Sequence, residues 1–202
     1  MIDVQNDFCD PAGALGSVGV DMSAVQGMVP RLLSLIEAAR ATTMPVIFVK
    51  TNHDETTDSA AWLGHHDASH AFDPPGAVCR PDSWGSEFYR VDPEGDPVIV
   101  KSRYSAFVGT TLDIQLRTLG VESLLFTGVT TETCVESSVR EGLFHEYHVS
   151  LIEDCCASYE RATHDASVKV IGQHFGTVIG SAELKDRWKA GAAQQLLGWR
   201  HG

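Results

Sequence analysis

With 202 residues, 15 Lys plus Arg against 27 Asp plus Glu and a formal charge of −12, the chain has one domain's length. Its charge has the wrong sign for a surface that tracks nucleic acid, although one local Arg or Lys could still hold a small anionic substrate. At 43% hydrophobic and 21% charged residues the composition is that of a folded protein. No apolar run approaches the ~20 residues that span a bilayer, and no basic stretch followed by an apolar one opens the chain. These features predict a cytoplasmic protein with neither nucleic acid nor membrane as partner.

In chain order, Val25, Val29, Leu32, Leu33 and Ile36 recur at helical spacing, with Pro30 in an early turn or at a kink. Val46-Ile47-Phe48-Val49, announced by Pro45, reads as a buried strand. Between His53 and Pro97 the periodicity fails. Gly, Pro, Asp and His dominate there, with Trp62, Phe72, Trp84, Phe88 and Tyr89 among them, and so long an irregular stretch reads as a lid or binding segment. Val98-Ile99-Val100 is a second strand, and Leu112, Leu116 and Leu119 mark a helix that stops at Gly120. Leu124-Leu125-Phe126 is a third strand, stopping at Gly128, followed by a helix over about 133–142 and the strand Val149-Ser150-Leu151-Ile152. A helix over 162–174 turns Ala166, Val170 and Ile171 inward; Gly176-Thr177-Val178-Ile179 is a last short strand and 182–197 a closing helix. This alternation predicts an α/β fold in three layers, α/β/α, around a mainly parallel, Rossmann-like sheet of about six strands, as one domain over residues 1–202.

The five cysteines, Cys9, Cys79, Cys134, Cys155 and Cys156, are odd in number, irregularly spaced and free of any C-x-x-C pair. They read as reduced thiols rather than a disulfide framework or zinc motif. Three polar residues stand where strands end: Asp3 after Met1-Ile2, Lys101 after Val98-Ile99-Val100, and Cys134 after the strand ending at Gly128. In open parallel sheets ligands bind outside the carboxyl ends of strands, so these three can converge. Cys134 lies in a segment rich in capping residues that opens a helix. Backbone N–H groups there favour a thiolate and could hold an oxyanion; the plainer reading is a small core residue. Lys101 is either buried beside that thiol and the Asp3 carboxylate or extends into solvent. Asp7, four residues on, competes with Asp3, and either could cap a turn. His53, His65, His66 and His70, with Asp54 and Asp67, invite a metal reading, but no pair has the H-E-x-x-H spacing. They read as surface or lid histidines, so no metal and no other cofactor is expected. Glu153-Asp154 ends a strand, and Asp154 caps a turn or binds Lys or Arg.

The segments Ile2-Asp3-Val4-Gln5-Asn6-Asp7-Phe8, Val100-Lys101-Ser102-Arg103-Tyr104-Ser105-Ala106-Phe107 and Gly128-Val129-Thr130-Thr131-Glu132-Thr133-Cys134-Val135 resemble the isochorismatase-like cysteine hydrolases. The likeness runs on through 136–142 and 151–156 and spans nearly the whole chain. It implies a triad in which Cys134 is the nucleophile, Asp3 the general base and Lys101 the group that positions and tunes them. It further implies a cis peptide at Val129-Thr130, an oxyanion hole from the N–H groups of Thr130 and Cys134, and a homodimer or homotetramer. Isochorismatases proper lack the cysteine, and nicotinamidases of the family carry a metal-binding Asp-x-His where this chain has Asn52-His53. Arg103-Tyr104-Ser105-Ala106-Phe107 and Cys134-Val135-Glu136-Ser137 are most similar to the ureidoacrylate amidohydrolases. Biuret and N-carbamoyl amino acid hydrolases follow, then nicotinamidase, a metal-dependent amidase using the His53–His70 region, and a non-catalytic binding protein on the same fold.

For the substrate, Arg103 suits a carboxylate, and Tyr104, Phe107 and Trp84 suit a planar ureido group; packing under a loop is the plainer role of the aromatics. A central strand ending at Asp3 needs about five or six residues, and only two precede it, so the natural chain is expected to extend upstream of Met1.

Overall fold

Short β-branched runs separated by amphipathic helices build a parallel sheet with helices on both faces. The computed structural model describes residues 1–42, 44–69 and 78–191. The readings made for His70, Phe72 and 192–197 fall outside these residues, as do the side chains of His65, His66 and Asp67. Strand β1 (Phe48–Thr51) pairs in parallel with β2 (Val98–Lys101), Phe48 opposite Val98 and Thr51 opposite Lys101. Strands β3 (Ser123–Val129), β4 (His148–Ala157) and β5 (Thr177–Ile179) form a second parallel ladder in that order. Ile2 joins the two ladders through parallel bridges to Val49 on one side and Gly128 on the other. Its N–H donates to Thr127 O at 2.8 Å and its carbonyl accepts from Val129 N at 3.0 Å.

The sheet order is therefore β2, β1, Ile2, β3, β4, β5, the doubly wound arrangement whose switch in strand order lies at its middle. The described residues form five strands, and the sixth, central place of the predicted sheet is held by the extended Met1–Asp3 segment: Met1 N donates to Ile47 O at 3.0 Å, and Val49 N to Met1 O and Asp3 N to Val49 O at 2.9 Å each. The first strand also begins two residues later than predicted. Phe48 is where the ladder to β2 starts, and its N–H donates to Pro97 O at 2.9 Å.

Helices complete the layers. Helix α1 (Asn6–Cys9) and α2 (Ala14–Ser17) follow the amino end, and α3 (Ser23–Ala41) buries Val25, Val29, Leu32 and Ile36. Pro30 sits on the exposed side of α3's interior, so the helix forgoes one backbone bond there while its apolar stripe stays continuous. Helix α4 (Ala60–Ser69) and a 3₁₀ turn (Trp84–Ser86) occupy the stretch that had read as irregular. The Ser59 hydroxyl accepts from Trp62 N at 3.2 Å, an N-cap at the head of an Ala-Ala-Trp-Leu run. Helices α5 (Leu112–Thr118), α6 (Glu136–Phe144), α7 (Arg161–His174) and α8 (Ser181–Lys189) follow the later strands.

One core cluster joins α3 and α8, through Leu32, Leu184 and Trp188, to Phe48 and Ile152. The other joins α5, α6 and α7, through Leu116, Val139 and Ile171, to Ile2, Val49 and Leu151. These are the two faces of the sheet. The inward residues of α7 are Ser167 and Ile171, whereas Ala166 is exposed and Val170 only half-buried. The phase differs from the predicted one because a polar face of this helix also packs inward. No helix among the described residues is long and apolar enough to cross a membrane.

Register slips between β3 and β4: Phe126 faces Leu151, yet Gly128 faces Cys156. Asp154, within that irregularity, accepts from Ser181 N and Oγ at 2.7 Å each and lies 3.8 Å from Arg31. It thus caps α8 and pairs with an arginine. Gly128 itself has φ +120°, and a Cβ there would come within 2.0 Å of Ile2 O. Gly128→Ala is expected to cost about 3 kcal/mol or more, lowering the thermal midpoint by roughly 10 °C, as read by circular dichroism.

At the amino ends of the strands lies an apolar cavity of about 620 Å³, lined by Met1, Ile2, Ile47, Leu124 and Phe126 among others. The carboxyl ends carry the polar residues.

Candidate active site

Each of the three strand-end residues reaches the site through a distinct local device. Asp3 ends the short central segment with φ +52°, a conformation that Asp tolerates better than most residues. Its N–H stays in the sheet, donating to Val49 O at 2.9 Å. Lys101 is the last residue of β2. Cys134 lies in a wide turn, Thr131–Val135, closed by Val135 N donating to Thr130 O at 3.2 Å. This is a π turn ahead of α6, where the sequence had predicted one helix from about residue 133. Such turns are frequent at functional sites.

The structure brings all three together. Lys101 Nζ lies 2.6 Å from Asp3 Oδ2, and both side chains are 1% exposed. The same nitrogen donates to Arg103 O at 3.0 Å and to Cys134 Sγ at 3.6 Å. The ammonium thus makes two hydrogen bonds and one ion pair, with the Asp3 oxygens otherwise without a hydrogen-bond partner among the described residues. Burial by itself pulls the Lys101 amine down, but Asp3 and Cys134 together hold it above the usual lysine value, so it is charged. Burial raises the Asp3 carboxyl, with Lys101 opposing the rise.

Burial also pushes the Cys134 thiol up; the Lys101 charge partly offsets this and the Asp3 charge adds to it. The resting form is therefore a thiol, not the thiolate that its place in a first helical turn had suggested. Desolvation of an anion outweighs the partial charges of a turn. Burial raises the other four thiols too, Cys9 and Cys155 to about 12. What sets Cys134 apart is a carboxylate and an ammonium beside it and incomplete burial, whereas the other four are buried. The Val129-Thr130 peptide is cis, and Thr130 heads the turn that carries Cys134.

Asp7 is excluded from this group by its partners. Its Oδ1 accepts from Ala14 N at 2.8 Å and its Oδ2 from Cys79 N at 2.6 Å. Asp7→Asn would leave one of these N–H groups without an acceptor, a loss of about 1–3 kcal/mol. The midpoint of urea unfolding should fall while kcat stays within about threefold of the parent.

Of the residues proposed to meet substrate, Tyr104 and Arg103 belong to one cluster with Trp62 of α4. The Trp62 and Tyr104 rings are 4.8 Å apart, and the Arg103 guanidinium lies 4.9 Å over Trp62 while Nη2 donates to Thr57 O at 2.9 Å. Burial raises the Tyr104 hydroxyl; a Cys134 anion would raise it further, and the Lys101 charge opposes the rise. Phe107 is buried and stacks on His145 and Tyr147, a packing role. Trp84 is 49% exposed on a 3₁₀ turn, and its carbonyl accepts from Asn6 Nδ2 at 2.8 Å.

Sequence reasoning passed over Trp62 because it lies where no periodicity is visible. It also passed over Gln5, whose buried amide donates to Thr51 O and Ser86 O and accepts from Thr51 N, tying β1 to the 3₁₀ turn.

His53 lies two residues beyond β1, its Nδ1 2.8 Å from Asp58 Oδ1 and its ring stacked on Trp62. Its charge would also act on Asp3. Among the described residues no three His, Cys, Asp or Glu side chains lie together as a metal-ligand set. His53 and Asp58 are a pair, and Asn52 supplies a neutral amide beside them. Among the described residues this pair supplies two donors, fewer than the three or more that hold a cation tightly.

A model of the isochorismatase domain matches residues 1–183. Among solved structures, an isochorismatase family protein from Desulfovibrio vulgaris subsp. vulgaris str. Hildenborough is 26% identical, covering 94% of this chain and 96% of that one, with a TM-score of 0.77. A cysteine hydrolase from Pseudomonas syringae pv. phaseolicola is 25% identical over 94% and 91% of the two chains, also with a TM-score of 0.77. A pyrazinamidase from Pyrococcus horikoshii, solved in complex with zinc, shares the fold at 23% identity and a TM-score of 0.73, over 89% and 96%.

Proposed function

The chain belongs to the isochorismatase family of hydrolases, and on that premise we propose that it is a cysteine-dependent amidohydrolase cleaving the C–N bond of a small ureido, carbamoyl or amide compound. The observation that carries this reading is one buried ammonium, Lys101 Nζ, placed between a carboxylate at 2.6 Å and a thiol at 3.6 Å. A buried Asp–Lys pair alone would serve packing poorly, since desolvation offsets much of its attraction. Set beside a thiol that is protonated at rest, it supplies a base for that proton and a cation for the sulfur anion that forms.

The steps balance as follows. Asp3 takes the proton from Cys134 Sγ as sulfur bonds to the carbonyl carbon, and the oxygen becomes an anion facing the N–H groups of Thr130 and Cys134. The tetrahedral centre collapses, the C–N bond breaks, and the departing nitrogen takes the proton from Asp3, leaving a thioester. Asp3 then removes a proton from water as it attacks. The C–S bond breaks, the acid leaves, and the proton returns to sulfur. Lys101 stays charged throughout and keeps Asp3 and Cys134 in register.

A ureidoacrylate-like substrate is favoured within this class. Arg103 can meet a carboxylate, and Tyr104 beside it can meet a planar ureido group, while Trp62 backs the arginine. The test is ammonia release from ureidoacrylate, biuret, N-carbamoyl amino acids and nicotinamide. Turnover of the ureido compounds well above nicotinamide is the expected result. Preference for nicotinamide would move the assignment to an aromatic amidase, and no release from any of them would remove the hydrolase reading.

A further inference from the structure

The wide turn that carries Cys134 is closed by backbone bonds at both ends: Thr133 N and Val135 N donate to Thr130 O at 3.2 Å, and Glu136 N donates to Thr131 O and Thr133 O. Side chains from outside the turn supply the rest of its fixation. From α6, Ser138 Oγ donates to Cys134 O at 2.7 Å and accepts from Ala106 N at 2.9 Å. Beyond β4, Ser158 Oγ donates to Glu132. From α7, Ser167 Oγ lies 3.3 Å from Thr131 O and meets the Glu136 carboxylate, itself paired with Arg140 Nε at 2.8 Å. One helical turn earlier, His164 Nδ1 and the Thr131 hydroxyl share a hydrogen bond of 2.8 Å. Thr131 is wholly buried, and it is the residue between Thr130 and the rest of the turn.

We propose that His164 is a positioning residue for the nucleophile turn: by holding the buried Thr131 hydroxyl through Nδ1, it keeps Thr130 and Cys134 aimed at the same carbonyl group. His164 touches neither the thiol nor its base and acts through Thr131. It is the one imidazole among the contacts just named, and therefore the one whose proton changes near neutral pH. Burial and Arg161 hold it below the usual histidine value, while Asp165 of α7, Glu153 of β4 and Glu132 of the turn push the other way. At neutral pH the imidazole is uncharged and can accept the threonine proton. Once protonated it can only donate, so the Thr131 hydroxyl must reverse within a buried site and a charge arrives beside the turn.

The inference rests on the hydrolase reading above, and one of its tests does not need turnover. His164→Ala and Thr131→Val are each expected to lower kcat about 10- to 100-fold, as misplacement of a nucleophile does, with KM within threefold. The double variant should be no worse than either single one. His164→Asn, whose amide can stand where Nδ1 stands, should recover most of the rate. The acid side of its kcat profile should fall with one protonation, that of Asp3, where the parent falls with two.

Independently of any substrate, iodoacetamide should label Cys134 several-fold faster in His164→Ala than in the parent, because a loosened turn exposes the thiol. Labelling in His164→Asn should match the parent. A parental kcat in His164→Ala or Thr131→Val, a loss carried by KM, a two-proton limb in His164→Asn, or unchanged labelling in His164→Ala would each overturn the proposal. If the parent releases ammonia from none of the compounds, the hydrolase reading fails while the labelling comparison still decides the role of His164.

Discussion

Cys134→Ala is expected to abolish ammonia release, with kcat falling at least about a thousandfold, while the circular dichroism spectrum and unfolding midpoint remain close to those of the parent. The expectation follows from the division of labour at the site. Sulfur is the atom that bonds to carbon, so no neighbour can substitute for it. Truncation to a methyl group removes one atom from a residue that is not fully buried, and the Asp3–Lys101 pair at 2.6 Å persists without it. Cys134→Ser keeps the shape but presents a far weaker acid to the same base, and it should be nearly as inactive. Parental turnover in the alanine variant, measured on protein purified free of the parent enzyme, would refute the mechanism.

Asp3→Asn should be damaging in two separable ways. Chemistry suffers because the amide cannot take the thiol proton, a loss on the order of 10²- to 10⁴-fold in kcat. Stability suffers because the Lys101 ammonium, 1% exposed, is left facing a neutral group; breaking a buried pair this way costs about 3–5 kcal/mol. Adding Lys101→Met removes the orphaned charge, so the double variant should regain most of the lost stability in urea and none of the activity. That split between two readouts is the signature of a pair kept for catalysis and not for the fold. Two single variants whose stability losses simply add in the double would contradict it. The pH dependence follows from the same burial. Asp3 must be ionised to act as base and its carboxyl is raised. Activity in the parent should therefore fall on the acid side at a pH above the ordinary carboxylate range, and recover as pH rises.

Much of this site could be read before any coordinates, for a geometric reason. A parallel sheet gathers its strand ends along one edge, so a carboxylate, an amine and a thiol that each terminate an apolar run are candidates for one cluster, however far apart in sequence. What the pattern could not show is anything decided across space. Asp3 and Asp7 are four residues apart and chemically alike; their partners separate them, Lys101 facing Asp3 and the N–H groups of Ala14 and Cys79 facing Asp7. The protonation of Cys134 turns on how much water the fold excludes, which residue order does not encode. Trp62 lies in a short run whose apolar residues are consecutive and show no helical period, yet a serine cap and helix-forming alanines place it beside Arg103 and Tyr104. The inward face of α7 was read from its aliphatic residues, whereas His164 and Ser167 turn towards the nucleophile turn through polar bonds that an apolar count ignores.

The join around Ile2 bears on how the site is lost as the molecule loosens. Two ladders, β1 with β2 and β3 with β4 and β5, meet across the Met1–Asp3 segment, which bonds to Ile47 and Val49 on one side and to Thr127 and Val129 on the other. The helices bridge that join on both faces, one packing Phe48 with Ile152 and the other Val49 with Leu151, so it holds as long as the helices stay seated. Asp3 is the last residue of that join, and its two working partners lie one on either side, Lys101 on the first ladder and Cys134 beyond the second. A small shift of one ladder against the other nevertheless lengthens the 2.6 Å and 3.6 Å contacts of the catalytic group while the helices stay formed. Turnover should vanish at a urea concentration at which the far-ultraviolet signal is still intact, which makes activity an early alarm for loosening of the sheet.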